Sequence, residues 1–170
     1  MLGVVLLYVG IVLINNGIGR IYDVDPKSTA VINIFTGFVS VVANIITIVH
    51  GEFTGDFGIH DFYAAATGLL FGFTYLYVAA YSIFGLDTRL YGWYSLFVAI
   101  NSLPAAYIAY FVDKDWRMAV IWILWGILWL TGFIETVLKK DLGKFVPYLA
   151  IFEGIFTAWI PGFLMLAEIW

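Results

Sequence analysis

The sequence predicts an all-α membrane protein with six transmembrane helices, and three observations carry that prediction. The first is composition. Of 170 residues, 63% are hydrophobic and only 12% charged, and the mean hydropathy is +0.97. Soluble domains average roughly 45–50% apolar and about 25% charged residues. A water-soluble fold cannot hide this much apolar surface. The second is spacing. Five short polar breaks, at 20–27, 50–61, 87–89, 113–115 and 139–144, leave six apolar stretches of 18 to 26 residues, and about 20 residues cross a bilayer as a helix. The third is the placement of charge. Of 20 formal charges, 16 lie in the breaks, and Arg117, Glu135, Glu153 and Glu168 are the exceptions. A membrane β-barrel would alternate in units of about ten residues; these stretches are continuously apolar.

The expected spans are 2–19, 28–49, 62–86, 90–112, 116–138 and 145–170, which makes residues 1–170 a single transmembrane domain. The first span has neither a basic leading region nor an A-x-A-like cleavage site, so it is read as a helix rather than a signal peptide. Breaks one, three and five hold Arg20, Lys27, Arg89, Lys139, Lys140 and Lys144. On the other side stand only Lys114 and Arg117. The Lys/Arg excess faces the cytoplasm, which puts both termini outside.

Several classes of function are excluded. With a net charge of −4 and no basic patch, the chain is not a nucleic-acid binder. There is no cysteine, hence no disulfide, thiolate metal site or catalytic thiol. Both histidines, His50 and His60, lie in the second break, which excludes a bis-histidine haem and argues against a metal-centred oxidoreductase. No lysine lies within a span to form a retinal Schiff base. There is no phosphate loop, no nucleophile with a base and no metal-ligand spacing, so no enzyme, metal or cofactor is expected.

A short repeat links alternate spans. Ile34-Phe35-Thr36-Gly37 in span two matches Leu96-Phe97-Val98-Ala99 and Ile151-Phe152-Glu153-Gly154. Gly3-Val4-Val5-Leu6 matches Gly68-Leu69-Leu70-Phe71 and Gly126-Ile127-Leu128-Trp129. The implied unit is a two-helix hairpin joined by a cytoplasmic turn. Three such hairpins around one axis would bring Leu6, Phe71 and Trp129 into a ring about a pore, since repeat interfaces line pathways in transporters.

Three helix faces are candidates to line it. Leu6, Val9, Leu13 and Asn16 fall at offsets of 3, 7 and 10 on span one, Phe71 and Tyr75 are four apart on span three, and Trp122, Trp125 and Trp129 share one face of span five. Tryptophan prefers the membrane interfaces, so a tryptophan face running into the bilayer points to a pore; packing or lipid contact is the alternative. Trp93, Trp116 and Trp170 fit the interfacial belt. Glu153 lies about eight residues into span six, roughly 12 Å deep at 1.5 Å per residue. A carboxyl at that depth is a functional candidate. It could accept hydrogen bonds from a permeant's N–H groups, or be protonated and bonded to a neighbouring helix. Glu135 can pair with Lys139 four residues on, and Glu168 is expected to be wet. The second break places His50 and His60 beside Glu52, Asp56 and Asp61. That makes it either a pH-sensing loop or a plain solvated one. Gly68-x-x-x-Gly72 allows close helix approach, and Pro104 and Pro161 predict kinks.

Runs spread over nearly the whole chain carry a resemblance. They are Val24-Asp25-Pro26-Lys27-Ser28-Thr29-Ala30, 66–77 (Ala66 to Tyr77), 93–101 (Trp93 to Asn101), Trp125-Gly126-Ile127-Leu128-Trp129-Leu130-Thr131 and 153–161 (Glu153 to Pro161). In these the chain resembles the UreI/AmiS family of urea and short-chain amide channels, most of all the urea channels of urease-bearing Helicobacter-type bacteria. The resemblance implies six helices in three hairpins, a pore within each protomer, and a homohexamer in the bacterial inner membrane with periplasmic termini. It implies passive urea flux to a cytoplasmic urease, in the service of acid resistance. The family's pore, carried onto matching positions, falls on Leu6, Val9, Leu13, Asn16, Phe71, Tyr75, Trp122, Trp125, Trp129 and Glu153. Two departures stand out. Met118 occupies a position where acid-gated relatives have a further pore tryptophan. The second break is shorter and poorer in histidine than theirs, which puts acid gating in doubt. The expected function is passive urea permeation across the lipid bilayer. The alternatives are a short-chain aliphatic amide channel of the same fold and a non-conducting membrane scaffold subunit.

Overall fold

A computed structural model describes residues 2–55 and 59–170, with the backbone alone at 59–61. The helices are α1 (Leu2–Ile21), α2 (Pro26–Thr54), α3 (Ile59–Phe84), α4 (Arg89–Phe111), α5 (Trp116–Thr136), α6 (Phe145–Glu153) and α7 (Ile160–Leu166). A π-helical segment, Gly154–Trp159, joins the last two into one continuous span. Six helical spans are long and apolar enough to cross a membrane. Their boundaries have local causes. Asp25 caps α2, accepting from the Lys27 amide at 3.1 Å, with Pro26 at the first helical position. Asp115 caps α5 by accepting from the amides of Arg117 and Met118.

Each span packs against its neighbours in the chain, and the sixth packs back on the first. The spans therefore form a closed ring in sequence order. The extensive contacts are α2 with α3, α4 with α5, and α1 with the α6–α7 span. This pairing is offset by one helix from the expected hairpins, whose basic turns join the more loosely packed neighbours. The reason is the placement of small residues. Gly37 and Gly72 face each other across the α2–α3 seam, so that a Cβ on either would lie 3.0–3.3 Å from the other's carbonyl oxygen. Small residues also bring the sixth span onto α1: a Cβ on Gly154 would stand 2.8 Å from the Gly10 oxygen, and one on Gly10 would stand 2.7 Å from Trp159 Cβ. Without a hydrophobic drive between helices in lipid, such close backbone approach is what holds them together.

Outside the ring, large apolar side chains such as Phe35, Phe97, Trp93 and Trp116 are exposed, as a lipid-facing belt requires. Inside it, Val5, Leu6, Val9, Val12, Leu13, Phe71, Tyr75, Trp125 and Trp129 belong to one buried cluster.

Two expectations change and two gain detail. The second break is mostly helix: α2 continues through His50 and Glu52 to Thr54 and stops only where Gly55 takes a left-handed conformation, φ 68°. His50 and Glu52 are exposed on that helix. Asp56, and the side chains of His60 and Asp61, lie outside the described residues. Glu135 pairs with Arg20, not Lys139, because α5 ends at Thr136 and Lys139 sits in a left-handed turn. Pro104 lies within an unbroken α4, whereas Pro161 follows the π-helical segment. The wider π turn makes room for a ring that would otherwise clash with the carbonyl four residues back. Trp170 is not a free belt residue. Its indole N–H donates to Asp115 Oδ2 at 2.9 Å and its ring lies under the Arg117 guanidinium, 4.3 Å from the centroid.

Candidate permeation site

Two cavities enter the ring from opposite ends. The one of about 670 Å³ opens at the end bearing the Lys/Arg-rich turns and is lined by Leu13, Asn16, Tyr75, Trp129, Arg20 and Glu135 among others. The one of about 370 Å³ lies toward the opposite end and is lined by Leu6, Trp122, Met118, Asn44 and Tyr63 among others. Phe71 and Trp125 line both. The ring of Phe71 stands 4.7 Å from each of Trp125 and Trp129 and 5.8 Å from Trp122, in edge-to-face contacts throughout. Three tryptophans from one face of α5 thus close around one phenylalanine of α3, in the geometry aromatic quadrupoles prefer.

The site residues read from the sequence divide accordingly. Leu6 and Trp122 face the smaller cavity. Leu13, Asn16, Tyr75 and Trp129 face the larger, and Phe71 and Trp125 stand between. Leu6 and Trp129 therefore lie on opposite sides of the neck and do not share one ring with Phe71. Val9 and Glu153 line neither cavity and are fully buried. Because Gly154 packs on Gly10, Glu153 sits at the height of α1 between Leu6 and Leu13, the level of the neck. Its two carboxyl oxygens have no hydrogen-bond partner among the described residues. A buried carboxyl without a partner is costly.

The sequence reading missed several polar residues that fix this constellation. Asn33 of α2 is wholly buried and exchanges two side-chain hydrogen bonds with Asn16, at 3.1 and 2.7 Å. A third bond, to the Thr29 carbonyl at 2.9 Å, holds it in place. Thr157 accepts the indole N–H of Trp125 at 2.9 Å, and Thr74 that of Trp129 at 3.2 Å. The available signal was a polar side chain inside an apolar span, which has to find a partner; nothing in the sequence says which one. At the basic end, Arg20 forms a two-pronged pair with Glu135, at 2.9 and 2.8 Å, across the mouth of the larger cavity.

A six-helix ring with a cavity from each end is the architecture of a transport protein, and the relatives agree. The family model described as AmiS/UreI family transporter matches residues 1–169. The chain belongs to the AmiS/UreI family. It is 52% identical to the acid-activated urea channel of Helicobacter pylori, over the full length of both chains. It is 38% identical to a candidate amidate-substrate transporter of Mycolicibacterium smegmatis, covering 99% of this chain and 78% of that one. A cryo-EM structure of the Helicobacter pylori urea channel in its closed state superposes with a TM-score of 0.93 at 54% identity, covering both chains completely. This AmiS/UreI chain is thus a membrane-embedded member of a family of channels and transporters, not of enzymes. The alignment with the acid-activated channel runs over 195 positions, against 170 residues here, so 25 positions have no counterpart in this chain.

Proposed function

We propose that this protein is a passive urea channel of a bacterial inner membrane, with periplasmic termini, supplying a cytoplasmic urease. The observation that carries the proposal is the pair of cavities that end on the same two residues, Phe71 and Trp125. Urea is neutral, planar and rich in N–H groups. Aromatic walls can contact its plane while the Asn16 carboxamide, on the wall of the larger cavity, offers hydrogen bonds. A hydrated ion would lose its shell between the rings with nothing to replace it. The full-length kinship with a urea channel supports the same solute. The exposed apolar belt and the family resemblance support a homo-oligomer, a hexamer by analogy.

A second reading is a short-chain amide channel, favoured by the amidate-transporter relative. Stopped-flow measurement of urea, acetamide and water permeation in proteoliposomes separates the readings. Protein-dependent urea flux without saturation by a driving ion is the expected result. Acetamide flux far above urea flux would favour the second reading, and no solute flux would leave the non-conducting scaffold.

A further inference from the structure

Trp125 at the neck and Trp129 beside it, on the side of the larger cavity, are tied by the same device, built twice. Trp125 Nε1 donates to Thr157 Oγ1, which itself donates to the Glu153 carbonyl four residues back, at 2.6 Å. Trp129 Nε1 donates to Thr74 Oγ1, which itself donates to the Leu70 carbonyl four residues back, at 2.7 Å. The two threonines come from different elements, the π-helical segment and α3. Both are almost wholly buried, at 2% and 6% exposure. The Leu70 carbonyl is held a second time by the Tyr94 hydroxyl at 2.7 Å. An indole has one donor and no acceptor. Once that donor is occupied by a hydroxyl locked to its own helix, the ring cannot rotate without breaking its bond to a fixed acceptor.

We propose that Thr74 and Thr157 are positioning residues that set the selectivity of the neck. This rests on the channel reading above. By occupying both central indole N–H groups they leave hydrocarbon ring surface facing the pathway, together with the Phe71 ring. A file of water molecules finds no donor there to bridge the two cavities. A planar amide, which contacts rings through its faces, loses little. Without the hydroxyls, each indole donor in the neck would be unpaired, and a buried unpaired donor takes up water or turns toward a partner.

The test uses Thr74→Val and Thr157→Val, which keep the side-chain shape and remove the acceptor, against Thr74→Ser and Thr157→Ser, which keep it. Each purified variant is reconstituted in proteoliposomes for urea and water permeability, and its indole N–H bonding is read by ultraviolet resonance Raman. The valine variants should show weakened indole hydrogen bonding and a water-to-urea permeability ratio raised at least about fivefold, equivalent to about 1 kcal/mol. The serine variants should stay near wild type in both. A valine variant that loses the Raman signature and keeps the wild-type ratio would overturn the proposal, as would an unchanged Raman signature. If the wild-type protein passes acetamide and not urea, the urea reading fails, and the water-to-acetamide ratio still decides the role of the threonines. A wild-type protein that passes no solute overturns both readings.

Discussion

Phe71 and Trp125 meet edge to face, with ring centroids 4.7 Å apart and planes at 78°, and among the described residues they alone line both cavities. Removing either ring should join the cavities. Phe71→Ala and Trp125→Ala are therefore expected to raise water permeation and blur the distinction between urea and larger neutral solutes such as glycerol. Trp129→Ala should shift urea flux or selectivity as well, since Trp129 is 4.7 Å from the same phenylalanine. Truncating a buried Phe or Trp costs about 3–5 kcal/mol in soluble cores. Assembly should accordingly be checked by size-exclusion chromatography before flux is compared. Wild-type flux and selectivity in assembled variants would show that the neck is elsewhere.

Arg20 and Glu135 tie the basic end of α1 to that of α5, helices that are not neighbours in the ring. The two side chains are 46% and 18% exposed, so solvent screening weakens the pair, and its two-pronged geometry works the other way. A double-mutant cycle with Arg20→Gln and Glu135→Gln should give a coupling of about 1 kcal/mol in thermal unfolding, falling as salt is raised. A coupling near zero at low salt would mean that the pair only decorates the cavity mouth.

How much of this was legible in the sequence follows from which physics each feature obeys. The six spans are written in hydropathy, because a bilayer demands apolar length. The stripes on α1, α3 and α5 are written in helical periodicity, and Phe71, Trp125 and Trp129 do meet. The pairing of helices was not legible from the repeat, since it depends on which glycines face each other, as Gly37 faces Gly72. The partners of buried polar groups were illegible for the same reason. Asn16 was visible as a polar residue on a lining face. Its partner Asn33 and the threonine anchors sit 17, 32 and 55 positions from the residues they bind. The helical extension through His50 is not written in hydropathy, because polar residues end an apolar run without ending a helix; Gly55, in its left-handed conformation, ends this one.

The charge asymmetry between the two ends predicts topology. The protein has no native cysteine, so single cysteines report cleanly. Glu168→Cys should react with an impermeant thiol reagent in intact spheroplasts, and Asp141→Cys should react only after lysis. Glu168 is exposed at one end and Asp141 lies in a basic turn at the other. The opposite labelling pattern would invert the chain in the membrane.

The last prediction concerns pH. Two turn carboxylates are held low. Side-chain bonding to Arg89 brings Asp87 down to about 2. At Asp115 burial acts upward but is outweighed by the Trp170 indole, the Met118 and Arg117 amides and the Arg117 charge. A carboxylate whose folded pKa is depressed stabilises the fold above its ordinary range, and this is lost as pH falls through the depressed value. Both groups thus stay charged from pH 7.5 to 5.5 and contribute nothing to a switch there. His50 and Glu52 stand exposed on the last turns of α2. Moving a two-state gate from 1:99 to 99:1 takes about 5.5 kcal/mol, and each pKa unit of difference between states supplies about 1.4 kcal/mol. Shared between His50 and His60, that is a shift near two units each, large for a side chain as exposed as His50. Urea flux in proteoliposomes should therefore change less than about fivefold between pH 7.5 and 5.5, roughly 1 kcal/mol, in contrast to the relative described as acid-activated. A switch of tenfold or more that disappears in the His50→Ala/His60→Ala double variant would overturn this and make the 50–61 segment the sensor.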